Sequence, residues 1–200
     1  LTNATECGTV YDPDAVRRLA EVAKGYGLPV HMDGTRFANA LVHLGCTPAA
    51  LTWKAGVDVL SFGGTKNGCI GVEAVVLFDP ARAWEFELRR KRAGHLFSKH
   101  RFLSAQFDAY LEDGLWLRLA ERANAMGARL AEGLARRNEV VQNHPVQANM
   151  MFPEWAAGTH ARLKAAGAEY YDWPLPDGRE GARLVTSWST TEENVDAFLQ

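Results

Sequence analysis

Apolar and polar positions run along this chain in two rhythms, a helical period near 3.6 and short unbroken apolar runs bounded by glycine or proline. The stretch "YDPDAVRRLAEVAKGYG" predicts a helix. Asp12 is its candidate N-cap, Pro13 suits the first turn, Val16, Leu19, Ala20 and Ala23 form the apolar stripe, and Gly27 is a natural stop. "LPVHMD" follows as a buried strand ending at Asp33, and "TRFANALVHLG" returns to helical spacing with Phe37, Leu41 and Leu44 on one side. A short helix is expected from Pro48 to Ala55. "VDVLSFGG" and "GVEAVVLF" are the next strands, and the connection between them is too short for a crossover helix, so they should pair antiparallel. "ARAWEFELRRKRAG" and "SKHRFLSAQFDAYLEDG" read as helices, the second with Phe102, Gln106, Phe107 and Tyr110 on a mostly apolar face.

A long helix is expected from about Leu115 to Arg137. Beyond it the pattern predicts strands near Val140 and at "NMMF", a helix over "EWAAGTHARLKAAG", and strands at "EYYDW" and "RLVTSW". A last helix starts at "STTEENV", where Ser189 with Glu192 and Thr190 with Glu193 both fit a capping box. The βαβ alternation points to an α/β fold followed by a smaller α+β domain. The expected division is residues 1–114 and 115–200.

Composition narrows the function classes. With 200 residues, 47% of them hydrophobic, the chain has enough apolar material for a real core. The formal net charge is −2 and the 22 Lys and Arg are scattered, which argues against nucleic-acid or membrane-surface partners. No apolar stretch approaches the length of a bilayer span. Cys7, Cys46 and Cys69 are odd in number and lack C-x-x-C spacing, so a reduced, cytoplasmic setting is expected rather than a disulfide framework. The chain opens without a signal-peptide pattern, on what reads as the tail of a strand, and closes inside an apparent helix. A piece of a longer protein is expected.

The candidate chemistry centres on "VLSFGGTKNG". Lys66 lies on a glycine-rich turn at the end of a buried strand. A phosphate loop needs G-x-x-x-x-G-K-[ST], and Lys66 follows Thr65 and precedes Asn67, so that pattern fails. A solvated turn lysine is the ordinary alternative. A lysine that bonds an aldehyde is the third, because small neighbours admit a planar group close to the backbone. Asp33, also at a strand end, is either a turn former or an acid that holds a proton on a pyridine nitrogen. One or two strand spacings, about 5–10 Å, would separate the two positions. His95 and His100 are five apart and miss the spacing of a helical metal pair, so no metal is expected. His31 is expected to pack in its strand.

Four blocks, "HMDGTRFANA", "LSFGGTKNG", "RRKRAGHLFSKHRFLSAQ" and "RLVTSWSTTEENVDAFL", resemble in content and order the low-specificity L-threonine aldolases, which are fold-type-I pyridoxal-phosphate lyases. The resemblance implies a fold like that of the pyridoxal-phosphate-dependent transferases, here with part of the large domain plus the small C-terminal domain. It implies that Lys66 carries the cofactor aldehyde and that Asp33 pairs with the pyridine nitrogen. Arg36 would help hold the cofactor or the substrate carboxylate, and Arg183 would bind that carboxylate. Thr65 would offer its hydroxyl to the cofactor phosphate. The implied reaction is aldol cleavage of L-threonine, L-allo-threonine or a related β-hydroxy-α-amino acid to glycine and an aldehyde, in a homodimer or homotetramer. Another fold-type-I reaction, transamination or β-elimination, would use the same Asp and Lys, and a non-catalytic assembly domain would keep the fold alone. Family members also carry an earlier glycine-rich phosphate loop and a stacking histidine. Neither stretch occurs before Asp33, so the 200-residue chain by itself is expected to bind cofactor poorly and to lack useful activity.

Overall fold

Asp12 starts the first helix as its sequence suggests, accepting a hydrogen bond from the backbone N–H of Ala15, and α1 runs Pro13–Gly25. Val16 and Ala20 are buried, but Leu19 is 43% exposed, so the buried stripe is narrower than the sequence pattern implied. The computed structural model describes all residues from Leu1 to Gln200. They form two units, Leu1–Ala4 with Tyr11–Arg118, and Thr5–Val10 with Leu119–Gln200.

In the first unit β1 (His31–Gly34) lies parallel to β2 (Val59–Gly63), with Asp33 opposite Ser61. The crossover between them holds α2 (Phe37–Leu44), α3 (Pro48–Leu51) and a 3₁₀ turn at Trp53–Ala55. The short helix expected from Pro48 to Ala55 is thus broken at Thr52. A single parallel bridge from Thr2 to Asp33 extends the sheet on the far side of β1. β3 (Glu73–Leu77) pairs antiparallel with β2, as the short connection requires. Met32, Leu60, Phe37 and Leu41 supply buried apolar side chains around this sheet, while Leu44 is only half-buried. α4 (Ala83–Arg92) buries no residue, and α5 (Arg101–Leu111) buries only Tyr110. Phe102, expected on the apolar face of α5, is 64% exposed.

α6 spans Leu115–Ala135. In the second unit the sheet runs β4 (Val141–Gln142), β6 (Pro153–Trp155), β8 (Glu180–Val185), β5 (Met150–Met151), and β7 (Tyr171–Pro174) also pairs with β8. All these pairings are antiparallel. Leu130 and Leu134 of α6 pack with Met151, Trp155, Ala182, Leu184 and Val195 to form the core here.

Two sequence expectations give way in this unit. The helix expected over 154–167 begins as strand β6, because Glu154 and Trp155 pair with Gly181 and Glu180, and α7 (Thr159–Ala165) starts only after Gly158 turns at φ +85. The capping box of α8 (Glu192–Leu199) is neither of the two expected. Thr191 is the N-cap, and Asn194 completes the reciprocal pair of bonds.

Candidate active site

The lysine turn and the aspartate are brought together by two parallel strand ends and one residue between them. β1 ends in Asp33-Gly34 and β2 in Phe62-Gly63, and the two strands are hydrogen-bonded neighbours. Ligand sites of α/β sheets form outside such carboxyl ends. The Asp33 carboxylate accepts from the backbone N–H of Thr35 at 2.9 Å, the local turn bond that aspartate favours. The hydroxyl of Thr35 in turn accepts from Lys66 Nζ at 3.1 Å. Acid and amine are therefore one residue apart in space, joined through Thr35.

Close backbone approach makes this possible. A Cβ built on Gly63 would stand 2.5 Å from the Thr35 carbonyl oxygen and 2.6 Å from its Cα, and one on Gly34 would stand 2.8 Å from the Ser61 carbonyl oxygen. One built on Gly64 would stand 2.8 Å from the Val72 carbonyl oxygen and 2.9 Å from the Phe107 ring. The paired glycines of "SFGG" and the glycine of "HMDG" are space requirements, not only turn preferences.

Lys66 is exposed on a single 3₁₀ turn, Thr65–Asn67. The far end of that turn is fixed by buried Asn67, whose Nδ2 donates to Tyr110 Oη at 2.7 Å and to the Trp116 carbonyl at 2.8 Å. Tyr110 Oη donates onward to the Gly63 carbonyl at 3.2 Å. Burial pushes the Tyr110 phenol up to about 12, against the opposing pull of the Asn67 hydrogen bond, so it stays a neutral donor. Around it Phe62 meets Phe107 and Trp116 edge-on, with ring centroids 5.5 and 5.2 Å apart. Cys69 Sγ would lie 3.2 Å from a Cβ on Gly64; burial and then the Glu73 charge push its thiol up.

The other expected residues fall as follows. Arg36 is half-buried at the N-cap position of α2. The Thr65 hydroxyl, expected on a phosphate, donates to the Val72 carbonyl at 3.2 Å and accepts from the Val72 N–H at 3.1 Å, so its one hydrogen is already used. His31 opens β1 as an exposed residue, and its Nε2 pairs with Ser61 Oγ of the neighbouring strand at 2.8 Å. Arg183 lies in the second unit on β8, on the strand face opposite buried Ala182 and Leu184. Its Nε donates to Met150 Sδ at 3.1 Å, and its guanidinium sits 5.9 Å from the centroid of the Tyr171 ring. A thioether is a weak acceptor and leaves the charge unneutralised.

Sequence reasoning missed Thr35, whose place two residues after an aspartate in "DGT" is a recognisable turn signal. It also missed Glu73, Asn67 and Tyr110, whose contacts with the turn come from strand and helix packing.

The model of the beta-eliminating lyase family matches residues 1–156. The low-specificity L-threonine aldolases of Pseudomonas aeruginosa and of Pseudomonas sp. (strain NCIMB 10558) are each 46% identical over 195 residues. Those alignments cover 98% of this chain and 56% of each relative, so the chain spans little more than half the length of these curated relatives. Among solved structures, the threonine aldolase of Leishmania major superposes over 100% of this chain and 58% of its own, with a TM-score of 0.92 at 29% identity.

Proposed function

Because the chain belongs to the beta-eliminating lyase family, we propose that it forms the lysine-bearing part of a pyridoxal-phosphate enzyme. The proposed reaction cleaves L-threonine, L-allo-threonine and related β-hydroxy-α-amino acids to glycine and an aldehyde, the activity in the names of its Pseudomonas relatives. The observation that carries this reading is the link from Asp33 through Thr35 to Lys66 across two adjacent parallel strand ends.

The residues fit the cofactor. An amine and a carboxylate stand close together at the carboxyl ends of two adjacent parallel strands, joined through Thr35. Lys66 would hold the cofactor covalently at its aldehyde. The negative charge of Asp33 would favour a proton on the pyridine nitrogen of a bound cofactor. Arg36 is the further cation for the cofactor or the substrate carboxylate. When bound, pyridoxal phosphate supplies an electron sink for the carbanion left by Cα–Cβ cleavage. Arg183 would offer the planar two-donor fork that a substrate carboxylate prefers. Thr65 reaches a phosphate only by giving up its bond to Val72, a change of about 1 kcal/mol.

The same reading takes residues 1–114 as the C-terminal portion of the cofactor domain and 115–200 as the small domain. It takes the enzyme as a homodimer or homotetramer. Trp84, Leu88, Leu96, Phe97 and Phe102 support that, since they are 44–69% exposed along α4 and the start of α5. Three unpaired cysteines support a cytoplasmic setting. No helix is long and apolar enough to cross a membrane.

The test is product analysis with L-threonine on the full-length enzyme that carries this chain. Acetaldehyde with equimolar glycine is expected, and Lys66→Ala in that enzyme should abolish both. A 2-oxo acid would move the protein to transamination or β-elimination, and no product from any β-hydroxy amino acid would refute the proposal.

A further inference from the structure

We infer that Glu73 is the positioning residue for Lys66, an inference that rests on the cofactor reading above. A lysine amine rides on a flexible four-carbon stem, so the point it reaches is set by where the backbone beneath it stands. Here that backbone is one 3₁₀ turn, and a helical turn leaves its first N–H groups without internal partners. Two amides at its entry, Gly64 N and Thr65 N, donate to Glu73: Gly64 N to Oε2 at 3.1 Å, Thr65 N to Oε1 at 3.2 Å. One carboxylate thus holds two successive amides, using both oxygens.

Glu73 is itself fixed. It opens β3 and pairs in register with Gly63, so the sheet sets its backbone relative to the end of β2. The neighbouring Val72 backbone makes the two bonds to the Thr65 hydroxyl. With Asn67 held at the other end by Tyr110 and Trp116, the Cα of Lys66 stands between two anchors. Glu73 is the charged one. The residue is exposed, so core packing does not hold its carboxylate in place.

An ordinary stabilising cap and a positioning residue are separated by reading the lysine directly. The full-length protein carrying this chain, freed of cofactor, is incubated with pyridoxal phosphate and reduced with borohydride at timed intervals, and adduct on the Lys66 peptide is quantified for wild type, Glu73→Ala and Glu73→Gln. Hydrogen exchange at the Gly64 and Thr65 amides is followed in parallel. In Glu73→Ala both amides should lose protection, and attachment to Lys66 should slow about tenfold to a hundredfold, the cost of a displacement near 1 Å. Glu73→Gln keeps one acceptor oxygen and should recover most of the rate. Where the alanine variant does not fold, Glu73→Asp replaces it; the retracted carboxylate should slow attachment at least about threefold. Attachment at the wild-type rate in Glu73→Ala, or in Glu73→Asp where that replaces it, overturns the inference. Failure of wild type to attach at Lys66 overturns instead the cofactor reading on which it rests.

Discussion

Replacing Gly63 by alanine adds one methyl group where the structure has no room for it. The new Cβ would stand 2.5, 2.6 and 2.8 Å from the carbonyl oxygen, Cα and carbonyl carbon of Thr35, against 3.4 Å or more for ordinary contact. All three neighbours are backbone atoms, so no rotamer change relieves the overlap, and strand and turn must separate by roughly 0.6–0.9 Å. Gly63 has no positive φ, so the effect is steric and not conformational. Overpacking of this kind costs about 1–3 kcal/mol, less a few tenths regained from the lower chain entropy of alanine. With a urea m-value near 2 kcal/mol/M, the midpoint should fall by about 0.5–1.5 M at unchanged slope. Thr35 joins Asp33 to Lys66, so the shift should also slow cofactor attachment. Gly25→Ala is the control: it lies in α1 with nothing within 4 Å of its Cβ, and the same change there should stabilise by about 0.5–1 kcal/mol. A Gly63→Ala protein as stable as wild type would refute the close-approach argument.

Tyr110 gives a pH test. Its folded pKa is raised above the ordinary value of 10 to about 12, so the neutral phenol contributes stability that is complete below pH 10 and lost as pH rises through 12. The slope of stability against pH between 10 and 12 should be shallower in Tyr110→Phe, and the wild-type-minus-variant phenolate absorbance should rise only near pH 12. Asp12→Ala should cost about 1 kcal/mol by removing the side-chain acceptor for Ala15 N–H, seen as a lower denaturation midpoint.

The sequence made local chemistry legible and left spatial arrangement to be found. Asp12 and Pro13 marked the start of α1, because capping is decided within four residues. The short link after Gly68 was enough to make β2 and β3 antiparallel. Trp155 went the other way. Its surroundings look helical, but pairing with Glu180, far along the chain, makes it strand. The cap of α8 was missed by one residue because "STTEEN" offers three overlapping candidates, of which Thr191 with Asn194 is the one formed. In the candidate site, Asp33 and Lys66 could be picked out by residue type and strand end. Thr35 was hidden because a threonine beside an aspartate is ordinary, and Glu73 because its role depends on register with Gly63.

The most direct measurement is the identity of the lysine that pyridoxal phosphate occupies. Borohydride reduction of the full-length enzyme carrying this chain, loaded with cofactor and then peptide-mapped, should place a single stoichiometric adduct on Lys66, lost in Lys66→Ala. An adduct on Lys54 or Lys99, or one spread thinly over the surface lysines, would contradict the account.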